Sequence, residues 1–228
     1  MGALQARLGV EIDPALLTQA VTHRSWAYEH GGAAHNERLE FLGDSVLGLA
    51  VTTKLYAEFP DYDEGDLAKR RAALVSGAAL AEVARGLGLG AFLLLGRGEA
   101  ASGGAAKASI LADAVEAIIG AAYLSAGRDA ATALVLRLIA PLEAAPGRFG
   151  AALDPKTSLQ ELADRLGAEP PRYEVEGTGP DHARIFVATV TVGGIAPAVT
   201  ARAEGTSKKH AEMAAALEAW TLLGARAS

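Results

Sequence analysis

Residues 36 to 45 read Asn-Glu-Arg-Leu-Glu-Phe-Leu-Gly-Asp-Ser and set Glu37, Glu40 and Asp44 three and four positions apart among large apolar side chains. On a helix those spacings put all three acids on one stripe, where like charges cost roughly 0.2–0.5 kcal/mol per pair. A second segment, from Lys107 to Gly120, repeats the pattern with Asp113 and Glu116 three apart in an otherwise apolar run. Two core-like helices that both carry carboxylates can pack only if the charges are solvated, paired or bridged. Two unit charges about 4 Å apart repel by about 4 kcal/mol at an effective dielectric near 20, so converging carboxylates protonate or push the helices apart unless a cation joins them.

Composition narrows the choice of cation. The 228-residue chain has no cysteine, so any metal must be held by oxygen or imidazole. Magnesium takes oxygen ligands in octahedral geometry, keeps several waters and is often bound through carboxylates together with substrate phosphates. Such a site suits phosphodiester hydrolysis, in which a metal activates water and stabilises the leaving oxygen. Taken singly, each acid is better read as lying on a solvated face or pairing with Arg38, Lys107 or another base; four acids at these spacings weaken that reading. A two-iron carboxylate bundle would call for Glu-x-x-His pairs, which neither acidic segment contains.

The chain reads as two parts with different periodicity. From Asp13 to about 145 the pattern is helical. Asp13-Pro14 opens one helix, Asn36 is placed to cap a helix to about Glu58, Asp63 one to about Arg85, and apolar helices follow over about 106–125 and 129–140. Residues 146 to 154, rich in Ala, Pro and Gly, read as a linker. Residues 155 to 228 then follow the order α-β-β-β-α, with a helix over 157–166, strands near 172–177, 184–192 and 198–204, and a helix from Ser207 to about Leu223. The expected fold is therefore an all-α domain over 1–145 followed by a small α+β domain over 155–228.

At 50% hydrophobic and 21% charged the composition is that of an ordinary soluble globular protein. Residues 1 to 10 lack the apolar core of a secretory signal, and the longest uncharged run, Ile185 to Ala201, is interrupted by Gly193-Gly194 and Pro197, so neither export nor membrane insertion is expected and a cytoplasmic location follows. The net charge of −6 argues mildly against a nucleic-acid partner, but the acidity is uneven. Residues 155–228 hold eight Lys/Arg against nine Asp/Glu, and residues 1–154 thirteen against eighteen. Near the end, Gly205-Thr-Ser-Lys208-Lys209-His210 opens a helix, and two lysines beside its free N–H groups make a ready phosphate site. Gly43 and Gly48 weaken the first acidic helix by about 0.5–1 kcal/mol each relative to alanine, which suggests close approach of another backbone.

The decapeptide 36–45 matches the signature of the ribonuclease III family, Ser109 to Gly120 resembles that family's second acidic motif, and Thr22-His23-Arg24-Ser25 is similar to a further family segment. The α-β-β-β-α part looks like a double-stranded-RNA-binding domain. The resemblance implies an endoribonuclease that hydrolyses double-stranded RNA with magnesium, or manganese in its place, and leaves 5′-phosphate and 3′-hydroxyl ends. It implies the processing of structured precursors such as ribosomal RNA. By the same resemblance Glu40, Asp44, Asp113 and Glu116 hold metal, Asp44 and Glu116 are the catalytic pair, Glu37 and Glu64 are supporting acids, and the catalytic domain forms a homodimer around the first acidic helix. Thr157, Gln160 and Glu161 would meet one minor groove, His182 the next, and Lys208 and Lys209 the phosphates between. His23 reads as structural, since a Thr-His-Arg-Ser turn can satisfy backbone groups locally. The competing reading is a regulator that binds duplex RNA without cutting it, whose mark would be the loss of one of the four acids.

Overall fold

The computed structural model describes residues 1–145, 149–179 and 184–227. The chain divides into two compact units, Met1–Ala144 and Ala145–Ser228. The first is helical: α1 (Gly2–Leu8), α2 (Pro14–Ala20), α3 (Arg24–Glu29), α4 (Glu37–Glu58), α5 (Glu64–Val75), α6 (Gly77–Gly86), α7 (Arg97–Ala101) and α8 (Ala108–Glu143), with short 3-10 turns at Leu89–Phe92 and Gly104–Ala106. The helix signals act as the sequence implies at Asp13, whose carboxylate accepts from the N–H groups of Ala15 and Leu16 ahead of Pro14.

Three expectations change in detail. The helix expected over 63–85 breaks at Ser76, which adopts an extended conformation, ends α5 and caps α6 by accepting from the Ala79 N–H at 3.3 Å. Asn36 precedes α4 but does not cap it with its side chain. It is already helical in backbone conformation and 3% exposed, and its N–H donates to the Thr22 carbonyl at 2.9 Å. The two apolar helices expected over 106–140 run as one element, α8, broken at Gly127, where φ is 82° and ψ −178°.

Helix α8 is the centre of this unit. Ile110, Leu111, Val115, Ile118, Ile119, Leu134, Val135 and Ile139 are all buried, and over 110–122 nearly every side of the helix is covered. Burying a side chain of this size contributes about 1.5–3 kcal/mol. By length and composition α8 could also cross a bilayer, yet here its apolar surface is spent on α4, α6 and α2. Against it α4 lays Leu39, Leu47, Ala50, Val51 and Leu55.

The second unit contains α9 (Gly150–Leu153), a single turn inside the segment expected as linker, then α10 (Pro155–Arg165), β1 (Arg172–Thr178), β2 (Ile185–Val192), β3 (Val199–Gly205) and α11 (Lys208–Ala227). The strands form an antiparallel sheet in the order β1-β2-β3, with Val175 opposite Ala188 and Ala188 opposite Ala203. Alternation sends Ala188, Val190, Val192, Val199 and Ala201 to one face, where Leu159, Leu162 and Ala163 of α10 and Ala211, Ala215, Ala219 and Leu223 of α11 cover them. Asp154 caps α10 ahead of Pro155, the same Asp-Pro device that opens α2.

Candidate active site and RNA-binding surface

The acids meet because two glycines let two backbones touch. A Cβ on Gly43 would overlap the Glu116 carbonyl oxygen, and one on Gly120 would overlap the Leu39 carbonyl oxygen. Neither position tolerates a side chain without parting α4 and α8. The close approach inferred for Gly43 is therefore to α8 of the same chain and not to a second copy. Gly48, by contrast, has open space where its Cβ would stand.

At that crossing Glu40 from α4 and Asp113 and Glu116 from α8 place one carboxylate oxygen each within 4.8 Å of the others, all three half-buried. Burial pushes Glu116 up to about 7, with the charges of Asp44, Glu40 and Asp113 adding in that order. Glu40 is raised by burial and then by Asp113 and Glu37, and Asp113 by burial against the lowering effect of His23. All three shifts disfavour the ionised cluster, first through burial and only partly offset at Glu40 and Asp113 by Arg24 and His23. Three converging oxygen donors with no sulfur or imidazole among them fit a hard divalent cation. Asp44 is exposed and outside this trio, one helical turn beyond Glu40, but it is the charge that acts most on Glu116.

Glu40 and Asp113 line a cleft of about 950 Å³ together with His23, Arg24, Tyr28, Glu37, Glu99 and Lys107. Arg24 pairs with Glu37 at 3.4 Å, and Lys107 donates to Glu99 at 2.5 Å and to the Ser102 hydroxyl at 3.1 Å. The cleft's two cations are thus held by acids that are not part of the trio. Tyr28, Glu99 and Lys107 as cleft residues are not deducible from the acidic motifs. Arg24 and His23 belong to the Thr-His-Arg-Ser segment, which was a usable signal. Glu64 does not join the cluster within the chain: it lies at the start of α5 beside Thr52, Tyr56 and Arg71, at the opposite part of α4.

In the second unit Thr157 is exposed on α10, and Gln160 and Glu161 are half-buried beside it, with Gln160 donating to Asp164 at 2.8 Å. Lys208 is exposed and Lys209 half-buried in the first turn of α11. Ser207 accepts from the His210 N–H at 3.2 Å, and the His210 ring meets the Thr206 hydroxyl at 3.2 Å. A Cβ on Gly205 would overlap the Ala211 nitrogen, so the strand end packs directly on the start of the helix. His182 lies outside the described residues. Behind this surface Lys156 pairs with Glu212 at 2.6 Å and sits 4.4 Å above the Tyr173 ring, whose buried hydroxyl is pushed up to about 12.

Comparison with known proteins agrees with both units. The profile described as Ribonuclease-III-like matches residues 13–142, and that of the double-stranded RNA binding motif matches residues 155–223. A "Ribonuclease 3" of Leifsonia xyli subsp. xyli is 70% identical over 221 residues, covering 97% of this chain and 92% of its own length. A "Ribonuclease 3" of Streptomyces coelicolor is 56% identical over 224 residues, covering 98% and 80%. Among solved structures, the nuclease domain of ribonuclease III from Campylobacter jejuni is similar with a TM-score of 0.57 at 46% identity, over 61% of this chain and 92% of that one. Fold, acid cluster and relatives together define an endoribonuclease specific for double-stranded RNA. The chain belongs to the ribonuclease III family.

Proposed function

We propose that Glu40, Asp113 and Glu116 hold magnesium, which manganese can replace, and that Asp44 and Glu116 are the catalytic pair. The observation that carries this reading is the convergence of three carboxylates at the Gly43–Gly120 crossing. A bound divalent ion would neutralise the cluster, lower the pKa of a water and polarise the phosphoryl oxygen. The chain's own residues then do the rest. Asp44, exposed at the edge beside Glu116, orients the attacking water. Arg24 and Lys107, released from Glu37 and Glu99, offer their charges to the RNA backbone in the cleft. Water oxygen bonds to phosphorus, the bond to the 3′-oxygen breaks, and the proton ends on that oxygen, leaving 5′-phosphate and 3′-hydroxyl ends.

The natural substrates on this reading are structured precursors such as ribosomal RNA, met in the cytoplasm. Residues 1–145 supply the chemistry, 146–154 link, and 155–228 bind the duplex through Thr157, Gln160, Glu161, His182, Lys208 and Lys209. Glu37 acts in support by holding Arg24. The catalytic unit works as a homodimer. Phe41, Leu49 and Tyr56 stand 79%, 54% and 75% exposed at seven- to eight-residue spacing along one stripe of α4, with open Gly48 on the same stripe. A second structure of the Campylobacter jejuni ribonuclease III nuclease domain describes structural flexibility in a region of that protein involved in dimer formation. In such a dimer Glu64 would serve the site from the other copy.

The test is to load a long RNA duplex in calcium and then add magnesium. Cleavage on addition, with 5′-phosphate ends, is the expected result. Duplex that stays bound and uncut after magnesium would favour the non-cleaving regulator.

A further inference from the structure

His23 does more than close a turn. Its Nδ1 accepts the backbone N–H of Ser25 at 3.3 Å and lies 2.8 Å from the Ser25 hydroxyl, while that hydroxyl in turn accepts the Gly96 N–H at 2.9 Å. A backbone N–H can only donate, so Nδ1 carries no proton and the neutral ring is protonated at Nε2. A Cβ on Gly96 would stand 2.7 Å from both the Ser25 carbonyl oxygen and a Glu29 carboxylate oxygen, so glycine is what lets this strap close on Ser25 and fix the ring. His23 lines the same cleft as Glu40 and Asp113, and with Nδ1 engaged by Ser25 the Nε2 edge is the one left over, making no hydrogen bond among the described residues.

A protonated Nε2 is neither a metal ligand nor a general base; it is a donor. The cleft holds five acids, and its two cations are paired with Glu37 and Glu99, so His23 offers an incoming phosphodiester a neutral donor fixed in place by Ser25. Burial keeps the ring below its ordinary pKa, consistent with a neutral form. We propose that His23 is a substrate-positioning residue that donates its Nε2–H to the backbone of the RNA strand held in the cleft. This rests on the proposed placement of the cut strand beside Glu40 and Asp113, and it adds to that reading a residue outside the acidic motifs.

Two substitutions separate the donor from the turn. Asparagine can reproduce the Nδ1 acceptor and is itself a good helix cap, but it has nothing at Nε2. Glutamine can place an amide N–H near Nε2 but loses the cap. The full-length protein, assayed on duplex RNA with magnesium, should lose about 10- to 100-fold in kcat/KM in His23→Asn with its melting temperature kept, the effect of removing one hydrogen bond to a charged group. His23→Gln should melt lower and yet cut faster than His23→Asn. A residue that only closes the turn gives the reverse order, so His23→Asn equal to or more active than His23→Gln overturns the proposal.

A second readout does not depend on turnover. Nitrogen NMR of the full-length Glu116→Gln protein should show His23 as the Nε2–H tautomer, with that resonance moving when RNA duplex is added without magnesium. An Nδ1–H tautomer, or a resonance indifferent to RNA, overturns it. Should Glu116→Gln still cut the duplex, the metal-site reading fails, whereas the tautomer and the order of the two His23 variants report on His23 alone.

Discussion

The two units put charge to opposite uses. In the helical unit, carboxylates are drawn together in a half-buried crossing where burial first, and for Glu116 and Glu40 the neighbouring acids after it, raise their pKa, an arrangement whose ionised form opposes folding. In the small unit the expected RNA-binding residues among those described are exposed (Thr157, Lys208) or half-buried (Gln160, Glu161, Lys209) on α10 and in the first turn of α11, over a core of Ala, Val and Leu that contains no charge. The first unit concentrates electrostatic strain at one helix crossing; the second is a nearly neutral scaffold with a polar exterior. On the proposed reading, stability and function compete at the α4–α8 crossing and scarcely touch in the sheet.

The contrast can be broken most severely at Gly43. Gly43→Ala should cost several kcal/mol or prevent folding, since the new methyl meets the Glu116 backbone, while Gly48→Ala, five residues along the same helix with open space inside the protomer, should leave the protomer's fold intact. Paired thermal melts read both. A Gly43→Ala protein that folds and cuts normally would mean that the helices do not rely on this contact.

Next in size is the response to pH and metal. Glu116 has a folded pKa of about 7 against an ordinary value of 4.5, so between those values the native state binds the extra proton. Stability of the metal-free protein must then fall as pH rises through that window, the direction linkage requires for an acid whose folded pKa is raised. Melting in EDTA should be lower at pH 8 than at pH 5, and magnesium should narrow the gap. No such magnesium effect should be seen in the isolated transition of the second unit, if it is resolved.

The smallest effect belongs to the surface of the small unit. Lys208→Ala and Lys209→Ala should each weaken duplex binding about uniformly across sequences and reduce the salt slope by about one. Binding in calcium across a salt series measures it, and stability should hardly change.

Much of this was legible in the residues. The acid spacing, the Asp-Pro caps at 13–14 and 154–155, and the switch from helical to alternating periodicity placed α4, the three strands and the converging trio Glu40, Asp113 and Glu116, whereas Asp44 stands exposed outside that trio. The rest depended on tertiary geometry. Ser76 ends one helix and starts another because its hydroxyl turns back on Ala79, a choice that a continuous apolar pattern does not reveal. Asn36 looks like a cap by type but is buried and bonded through its backbone to Thr22. Gly43 signalled close approach without saying to what, and only the crossing shows α8. Short helices such as α1, α3 and α7 carry too few turns for a periodicity to register.

The central claim is that the Glu40–Asp113–Glu116 crossing is a metal site poised by its own repulsion to cut duplex RNA. Glu116→Gln addresses it in one protein through two readings taken together. Cleavage of a long RNA duplex in magnesium should be abolished, while the melting temperature in EDTA at pH 8 should rise because a buried charge is gone. Cleavage at the parental rate, or a metal-free protein made less stable by the substitution, would contradict the account.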